Sequence, residues 1–521
     1  MGTYINPGND GFQNILNSEY IDKTGIIAQV NKTLNSSRKL TCITRPRRFG
    51  KSYAEKTLCA YYDCSCNSEK LFSGLDAASS VDFKTNLNKY NVLFVDMTGF
   101  YQKKTDNIVN SIINALSEDL KKEFDFCSEL DNLNDMLLSV VEKTEKKIVF
   151  IIDEWDAIFR EEKNNEKAQK EYIALLRGFF KNGNLTDRVF AGAYMTGILP
   201  IKKYGTQSAV SDFKEYTMLE PGPFAEYFGF TDEEVRNICS ENNMNYSEMK
   251  KWYDGYSFEE VGEIYNPNSV MEALHLHKYK SFWADSETYE SLREYIAMNL
   301  DGLKDCIRDL IGGTRQKVNV TKFQNDMINI STKDDVLTLL VHLGYLTYDS
   351  ENELVSIPNQ EIIGEFVNAI EDGGWQNVVS AIKASDQLLE ATMAMDSNTV
   401  SQIIEKVHED NTSIIEYNDE NSLSCIISIA YYSARKKYTI IRELPSGKGF
   451  ADIAFIPIHP ENIPFIVELK WNQTAETALS QIKSKRYNGV LNGYKEILIV
   501  GINYNEKQKK HKALIEKIVN C

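Results

Sequence analysis

The segment Phe465-Ile466-Val467-Glu468-Leu469-Lys470-Trp471 does most to constrain how this chain can fold. An extended strand sends alternate side chains to opposite faces. Phe465, Val467, Leu469 and Trp471 therefore share one face, and Ile466, Glu468 and Lys470 share the other. The first face is fully apolar and belongs in a core. An acid and a lysine two apart on the opposite face are costly beside a core unless they are paired or bind a metal. A second apolar run, Ala451–Ile456, carries Asp452, and the loop Pro457–Pro464 can fold the two runs into a hairpin. Two carboxylates and an ammonium then meet at one point. Such a set can hold a divalent metal and activate water against a phosphodiester. A surface hairpin with a solvated Glu468–Lys470 pair is the alternative.

The flanking residues add to this pattern. Asp419-Glu420-Asn421-Ser422 opens an apolar helix over Leu423–Tyr432. A second helix is expected over Thr474–Val490, with Gln481 and Lys485 four apart on one face, followed by Arg486 and Tyr487. A strand, Glu496–Ile502, comes next. Together these residues resemble the D…(D/E)xK core of the PD-(D/E)xK nuclease superfamily, over Ser413–Val519. The resemblance implies an α-β-β-α-β core. It implies Asp452 and Glu468 as ligands of Mg²⁺ or Mn²⁺, with Glu420 as a further acid at the metal. Lys470 then positions the attacking water or stabilises developing charge. Gln481 and Tyr487 would support the site or contact the nucleic-acid backbone.

A second stretch, Leu40–Ser52, begins as a short apolar strand, turns at Arg45-Pro46 and closes with Gly50-Lys51-Ser52 ahead of a helix. That is the context of a phosphate-binding loop, in which backbone N–H groups and the helix N-terminus face phosphate. Lys51 would reach the β- and γ-phosphates of ATP, and Ser52 would ligate Mg²⁺. The whole segment Arg45, Pro46, Arg47, Arg48, Phe49, Gly50, Lys51 and Ser52 is expected to line the nucleotide. The first glycine of G-x(4)-G-K-[ST] is replaced by Arg45, and Pro46 lacks an N–H donor. A buried-strand pattern, Lys147–Ile152, ends in Asp153-Glu154-Trp155-Asp156. Asp153 is expected to hold Mg²⁺ and Glu154 to orient the attacking water, with strand-end caps as the plainer alternative. A third apolar run, Val189–Met195, ends in Thr196-Gly197, where Thr196 is expected near the γ-phosphate. Functional residues at the carboxyl ends of three strands fit the ligand edge of an open α/β sheet.

These segments, with Tyr20–Thr24, Trp252–Tyr256 and Tyr265–Ser269, resemble the predicted AAA-ATPase-like family over Gly11–Asp285. In that family an arginine also takes the place of the first glycine, so the resemblance implies that Arg45 is a family trait.

The expected architecture is therefore α/β and multidomain. A P-loop, AAA-like parallel-sheet domain covers 1–235. A helical lid and winged-helix-like region covers 236–360, in which Thr231–Tyr253 is amphipathic and Asp334–Leu343 precedes a two-stranded wing. A helical connector covers 361–410, and a nuclease-like domain 411–521. Trp252–Tyr256 and Tyr265–Ser269 read as packing segments, with stacking on nucleic acid as the alternative. No window is apolar enough for a membrane helix and no signal peptide is read, so no membrane partner is expected. Nine scattered cysteines without zinc spacing fit reduced thiols in a cytoplasm.

Net charge is −17, but Asn411–Cys521 holds fifteen Lys/Arg against eleven Asp/Glu, leaving −21 for the rest. The basic excess surrounds the proposed metal site and favours nucleic acid, with DNA ahead of RNA. A solvated basic face is the alternative. The combined reading is an ATP-binding and ATP-hydrolysing protein that gates a metal-dependent nuclease, in genome defence or mobile-element biology. The rival is a nucleotide-switched scaffold whose nuclease-like domain grips a partner without cutting. Homo-oligomerisation and a partner protein both stay open.

Overall fold

The computed structural model describes residues 2–101, 107–201, 210, 212–283, 290–298, 300–323, 330–373, 375–411, 420–446, 449–485, 491 and 493–519. The chain divides into two compact units, one formed by 1–287 with 317–362 and the other by 288–316 with 363–521.

The first unit is built on β1 (Leu40–Thr44), β2 (Asn91–Asp96), β3 (Ile148–Asp153), β4 (Phe190–Gly197) and β5 (Lys214–Tyr216). Their order is β2-β3-β4-β1-β5, and every neighbouring pair is parallel. β1, β3 and β4 are buried along their whole length. Continuous apolar runs form such strands because helices cover both faces of a parallel sheet. On one face Leu93, Phe150 and Met195 pack with Leu116, Leu137 and Leu176 from helices Ile108–Glu123, Leu133–Thr144 and Glu166–Phe180. On the other, Ile43, Val149 and Ile151 pack with Phe12, Ile27 and Leu58.

The same unit carries a small antiparallel sheet of Phe230–Thr231, Gly262–Tyr265 and Tyr256–Phe258, with Gly262–Tyr265 in the middle. The amphipathic stretch expected as one lid element is two helices, Asp232–Glu241 and Tyr246–Tyr253, the first started by a Thr231–Glu234 capping box. The aromatic turn that follows is a packing device. Gly255 sits at φ +101° so close to Pro358 that a Cβ would lie 2.1 Å from its carbonyl oxygen. Helix Lys333–Leu343 and the hairpin Thr347–Asp349/Leu354–Ser356 realise the expected helix and wing. Every residue from Val336 to Leu343 is buried.

The second unit is built on β6 (Tyr438–Ser446), β7 (Gly449–Pro457), β8 (Phe465–Trp471), β9 (Glu496–Asn505) and β10 (Lys510–Val519), in that spatial order. β8 and β9 are parallel and all other neighbours antiparallel. Helix Ala475–Lys485 makes the crossover that a parallel pair requires. Its Leu479 and Ile482 pack on Ala454, Ile466 and Ile499. On the opposite face Phe455 and Phe465 stack at 4.0 Å, and Tyr431 and Tyr438 close around them. The expected α-β-β-α-β series is present, beginning with helix Glu420–Ala430, but β6 and β10 extend it. The expected connector is part of this unit's core. Thr392 meets the Tyr431 hydroxyl at 2.7 Å, and Ser385 donates to Ser433 at 2.9 Å. No helix among the described residues is long and apolar enough to cross a membrane.

Candidate functional site

β1 ends at Thr44, and the chain turns through 45–50 into helix Lys51–Tyr62. Arg48 at φ +63° and Gly50 at φ +89° make this turn. Gly50 is the N-cap, and no side chain caps the helix. The amides and positive dipole end of the helix are thus left to an anion. Beside them lies a cavity of about 460 Å³, the size of a small-molecule site. Arg47, Arg48, Gly50, Lys51, Ser52 and Glu154 line it, together with Tyr20, Ile21, Phe230 and Met271. The buried Lys51 ammonium donates to the carbonyls of Arg45 (3.1 Å) and Pro46 (2.9 Å) and stands 3.9 Å from Glu154.

The strand ends converge behind this loop. Ser52 Oγ donates to Asp153 Oδ2 at 2.9 Å. Thr196 Oγ1 lies 2.9 Å from Asp153 Oδ1 and also hydrogen-bonds Glu55 Oε1. One hydroxyl carries one proton, so one of the two acids supplies the proton of the other bond. Glu55 is fully buried, and burial followed by the Asp153 charge pushes its pKa well above the carboxylate range. These oxygen donors suit Mg²⁺. Asp153 and Thr196 are brought together, and Thr196 is fully buried with its hydroxyl committed to the two acids.

Glu154 follows at φ +53°, a backbone region that a side-chain-bearing residue seldom adopts, and one that clusters at functional sites. Its carboxylate pairs with Arg160 and faces Lys51. Burial still raises its pKa against both cations. Asp156, fully buried, is occupied by Arg160 (3.2 Å) and by the amides of Ile198 (3.2 Å) and Leu199 (2.9 Å), which makes it structural. The turn needs Gly197, where a Cβ would meet Trp155 and Asp156 at 2.6 Å.

The expectation that Arg45 and Pro46 line the nucleotide is corrected at the side chains. Neither borders the cavity, and Arg45 is fully buried. Its guanidinium donates to the carbonyls of Thr44 (2.8 Å) and Tyr216 (3.1 Å) and lies over the rings of Phe228 and Phe258. Burial pulls its pKa down to about 10, so it stays cationic at neutral pH. It ties the loop to β5. Phe49 is likewise buried, edge-on to Tyr256, although it reaches the cavity wall.

In the second unit the β7–β8 ladder runs from Phe455↔Phe465 to Ile453↔Val467. Just beyond it, Asp452 Oδ2 accepts the Leu469 N–H at 2.6 Å. Glu468 is fully buried and Lys470 nearly so, with Lys470 Nζ 3.6 Å from Glu468 Oε1. That burial excludes the solvated surface pair. Gln481 Nε2 donates to the same Glu468 oxygen. The helix reaches this position because Gly501, in register with Glu468, has no side chain. A Cβ there would lie 2.4 Å from the Ala475 carbonyl oxygen. Asn503, in register with Lys470, accepts the Gln473 N–H at 2.9 Å and fixes the start of the helix. Neither Gly501 nor Asn503 was expected, although a glycine inside an apolar strand does signal close backbone approach. Asp452 and Glu468 are hard oxygen donors that fit Mg²⁺ or Mn²⁺. Among the described residues no three His, Cys, Asp or Glu side chains form a metal cluster. The Glu420 side chain and all of Tyr487 lie outside the described residues.

Comparison with known proteins matches two stretches of the chain to family models. Residues 8–206 match the family described as Predicted AAA-ATPase, and residues 418–513 match the PD-(D/E)XK nuclease superfamily. No curated protein matches the chain. Among solved structures, that of the Aeropyrum pernix ORC2 protein (ADPNP–ADP complexes) is similar at 13% identity and a TM-score of 0.33. The match covers 69% of this chain and 98% of that one.

Proposed function

We propose that this chain is an ATP-gated, metal-dependent nuclease of the cytosol that cuts DNA in preference to RNA. The observation that carries the reading is the buried Glu468–Lys470 pair, with Gln481 on the same Glu468 oxygen and Asp452 bonded to the Leu469 amide between them. Burying an acid and an ammonium in a sheet gains little stability over apolar residues, so a catalytic role accounts for them better than packing does. The AAA-ATPase-like and PD-(D/E)XK matches in one chain support the same pairing of activities. A role in genome defence or mobile-element biology rests on analogy of architecture.

In the first unit the helix amides and Lys51 would bind the triphosphate, and Ser52 and Asp153 would hold Mg²⁺. Glu154 would orient the attacking water and accept its proton, and Arg160 fixes where that carboxylate points. In the second unit Asp452 and Glu468 would hold the divalent metal. The metal would supply positive charge to the phosphodiester and to the attacking water. Gln481 orients Glu468, and Lys470 places a positive charge where the phosphate gains negative charge.

The test is cleavage by the purified full chain of plasmid, linear and single-stranded DNA and of RNA, with Mg²⁺ or Mn²⁺ and with or without ATP. The expected result is metal-dependent cutting that ATP alters in wild type but not in Lys51→Ala. A protein that binds no divalent metal and cuts none of these substrates would remove the nuclease reading. The Arg160–Glu154 pair favours one rival, a nucleotide switch in which ATP binds without turnover. That rival predicts tight ATP binding, no phosphate release and no cleavage.

A further inference from the structure

Glu55 lies four residues after Lys51, on the same side of the helix that follows the phosphate loop. It is fully buried. An apolar residue would be the cheaper occupant of such a place. What the carboxyl group does there is meet Thr196 Oγ1, whose other contact is Asp153 Oδ1 at 2.9 Å. The remaining Asp153 oxygen takes the Ser52 hydroxyl, also at 2.9 Å. Both oxygens of Asp153 are therefore fixed, one from the first turn of the helix and one through Thr196 from its second turn.

We propose that Glu55 is a positioning residue for the magnesium–nucleotide complex, holding Thr196 against Asp153 so that Asp153 and Ser52 face a metal with their oxygens preset. This rests on the nucleotide-binding reading and adds a residue to it. Glu55 does not line the cavity, so its effect must travel through Thr196 and Asp153. Metal-free nucleotide binding, which depends on Lys51 and the helix amides, is then independent of Glu55. Nucleotide binding assisted by Mg²⁺ is not. The group needed at position 55 is a hydrogen-bond partner for the Thr196 hydroxyl, which the isosteric amide of glutamine supplies as well as a carboxyl group does.

The test is calorimetric titration of the full chain with the non-hydrolysable analogue AMP-PNP, with Mg²⁺ and with EDTA, for wild type, Glu55→Leu and Glu55→Gln. The expected result for Glu55→Leu is an unchanged Kd in EDTA and loss of about tenfold or more of the affinity that Mg²⁺ adds. Glu55→Gln should restore the wild-type difference. Equal magnesium enhancement in wild type and Glu55→Leu would overturn the proposal, as would a Glu55→Gln protein as defective as Glu55→Leu. If Glu55→Leu does not fold, the Gln variant decides the matter alone: retained enhancement supports the proposal and lost enhancement overturns it. A wild type that binds no AMP-PNP in either buffer would instead remove the nucleotide reading itself, and the inference with it.

Discussion

Ser52 Oγ stands 2.9 Å from Asp153 Oδ2, joining the first turn of one helix to the end of a strand 101 residues later. Neither residue has that partner until β1 and β3 are set on either side of β4 in a parallel sheet. The phosphate loop and the acid that completes it are thus products of the fold as much as of two motifs.

Lys51→Ala should weaken ATP binding by about a hundredfold or more, which is ~3 kcal/mol at 1.4 kcal/mol per decade. The ammonium is buried against two loop carbonyls and can turn from them to phosphate. Titration with a fluorescent ATP analogue checks this. Equal affinities for wild type and variant would mean that the cavity is not a phosphate site.

Glu154→Gln should leave ATP affinity within a few-fold of wild type and slow hydrolysis by about 10²–10⁴, the range for losing a positioned base. Arg160→Ala should also slow turnover, but less, because it frees the carboxylate without removing it. Phosphate release from pre-bound ATP measures both. Unchanged release in Glu154→Gln would move the base elsewhere, and Asp156 is no substitute while two amides and Arg160 occupy it.

Asp452→Ala and Lys470→Ala should both abolish cleavage, by about a thousandfold and a hundredfold respectively. Their metal affinities should part. Loss of Asp452 removes negative charge and weakens Mn²⁺ binding. Loss of Lys470 removes a cation 3.6 Å from Glu468 and leaves Mn²⁺ binding equal or tighter. Calorimetric Mn²⁺ titration beside the cleavage assay separates them, and equal weakening in both would exclude Asp452 as a distinct ligand.

How much of this was legible in the sequence follows from range. The loop of 45–52, the strand-end acids and the Glu468–Lys470 alternation are local, so pattern and spacing reveal them. Glu55 reads as an ordinary helix charge, because its partner Thr196 is 141 residues away. Arg45 misleads for the opposite reason. It sits in the phosphate motif, but its backbone turns the side chain beneath the loop toward Tyr216. β10 escapes because Lys512, Ala513, Leu514, Glu516 and Lys517 are good helix formers. Burial of His511, Ala513 and Ile515 shows instead the period of two that pairing with β9 imposes. β6 escapes because Arg442, Glu443 and Pro445 interrupt its apolar run, which an edge strand tolerates.

Gly501→Val should destabilise the second unit by about 1–3 kcal/mol, the usual cost of overpacking. Its side chain would have to displace the Ala475 carbonyl and the helix that carries Gln481. Urea unfolding followed by tryptophan fluorescence measures the loss. A variant as stable as wild type would show that the helix is free to move off β9, and would weaken the case that Gly501 sets the Gln481–Glu468 contact.

Acid should unfold the second unit through a pair of buried histidines. His408 Nδ1 and His511 Nε2 lie 3.0 Å apart, and both rings pack on Tyr504. Glu405 approaches through the His511 amide rather than the ring. Burial lowers the pKa of His408 to about 4. Burial, with a lesser contribution from its neighbour, lowers that of His511 to about 3. Unfolded histidines titrate near 6.5. Between that value and about 4, therefore, the unfolded chain binds protons that the folded one refuses. Stability contributed by the neutral pair is complete above pH 6.5 and is lost progressively as pH falls toward 3. Thermal midpoints from pH 7.5 to 4 should fall in wild type, and fall less steeply in a His408→Leu/His511→Leu double variant, which has nothing there to protonate. Carboxylates elsewhere contribute to both curves alike, so the difference in slope isolates the pair. Parallel curves would mean that the two rings already share a proton in the folded state.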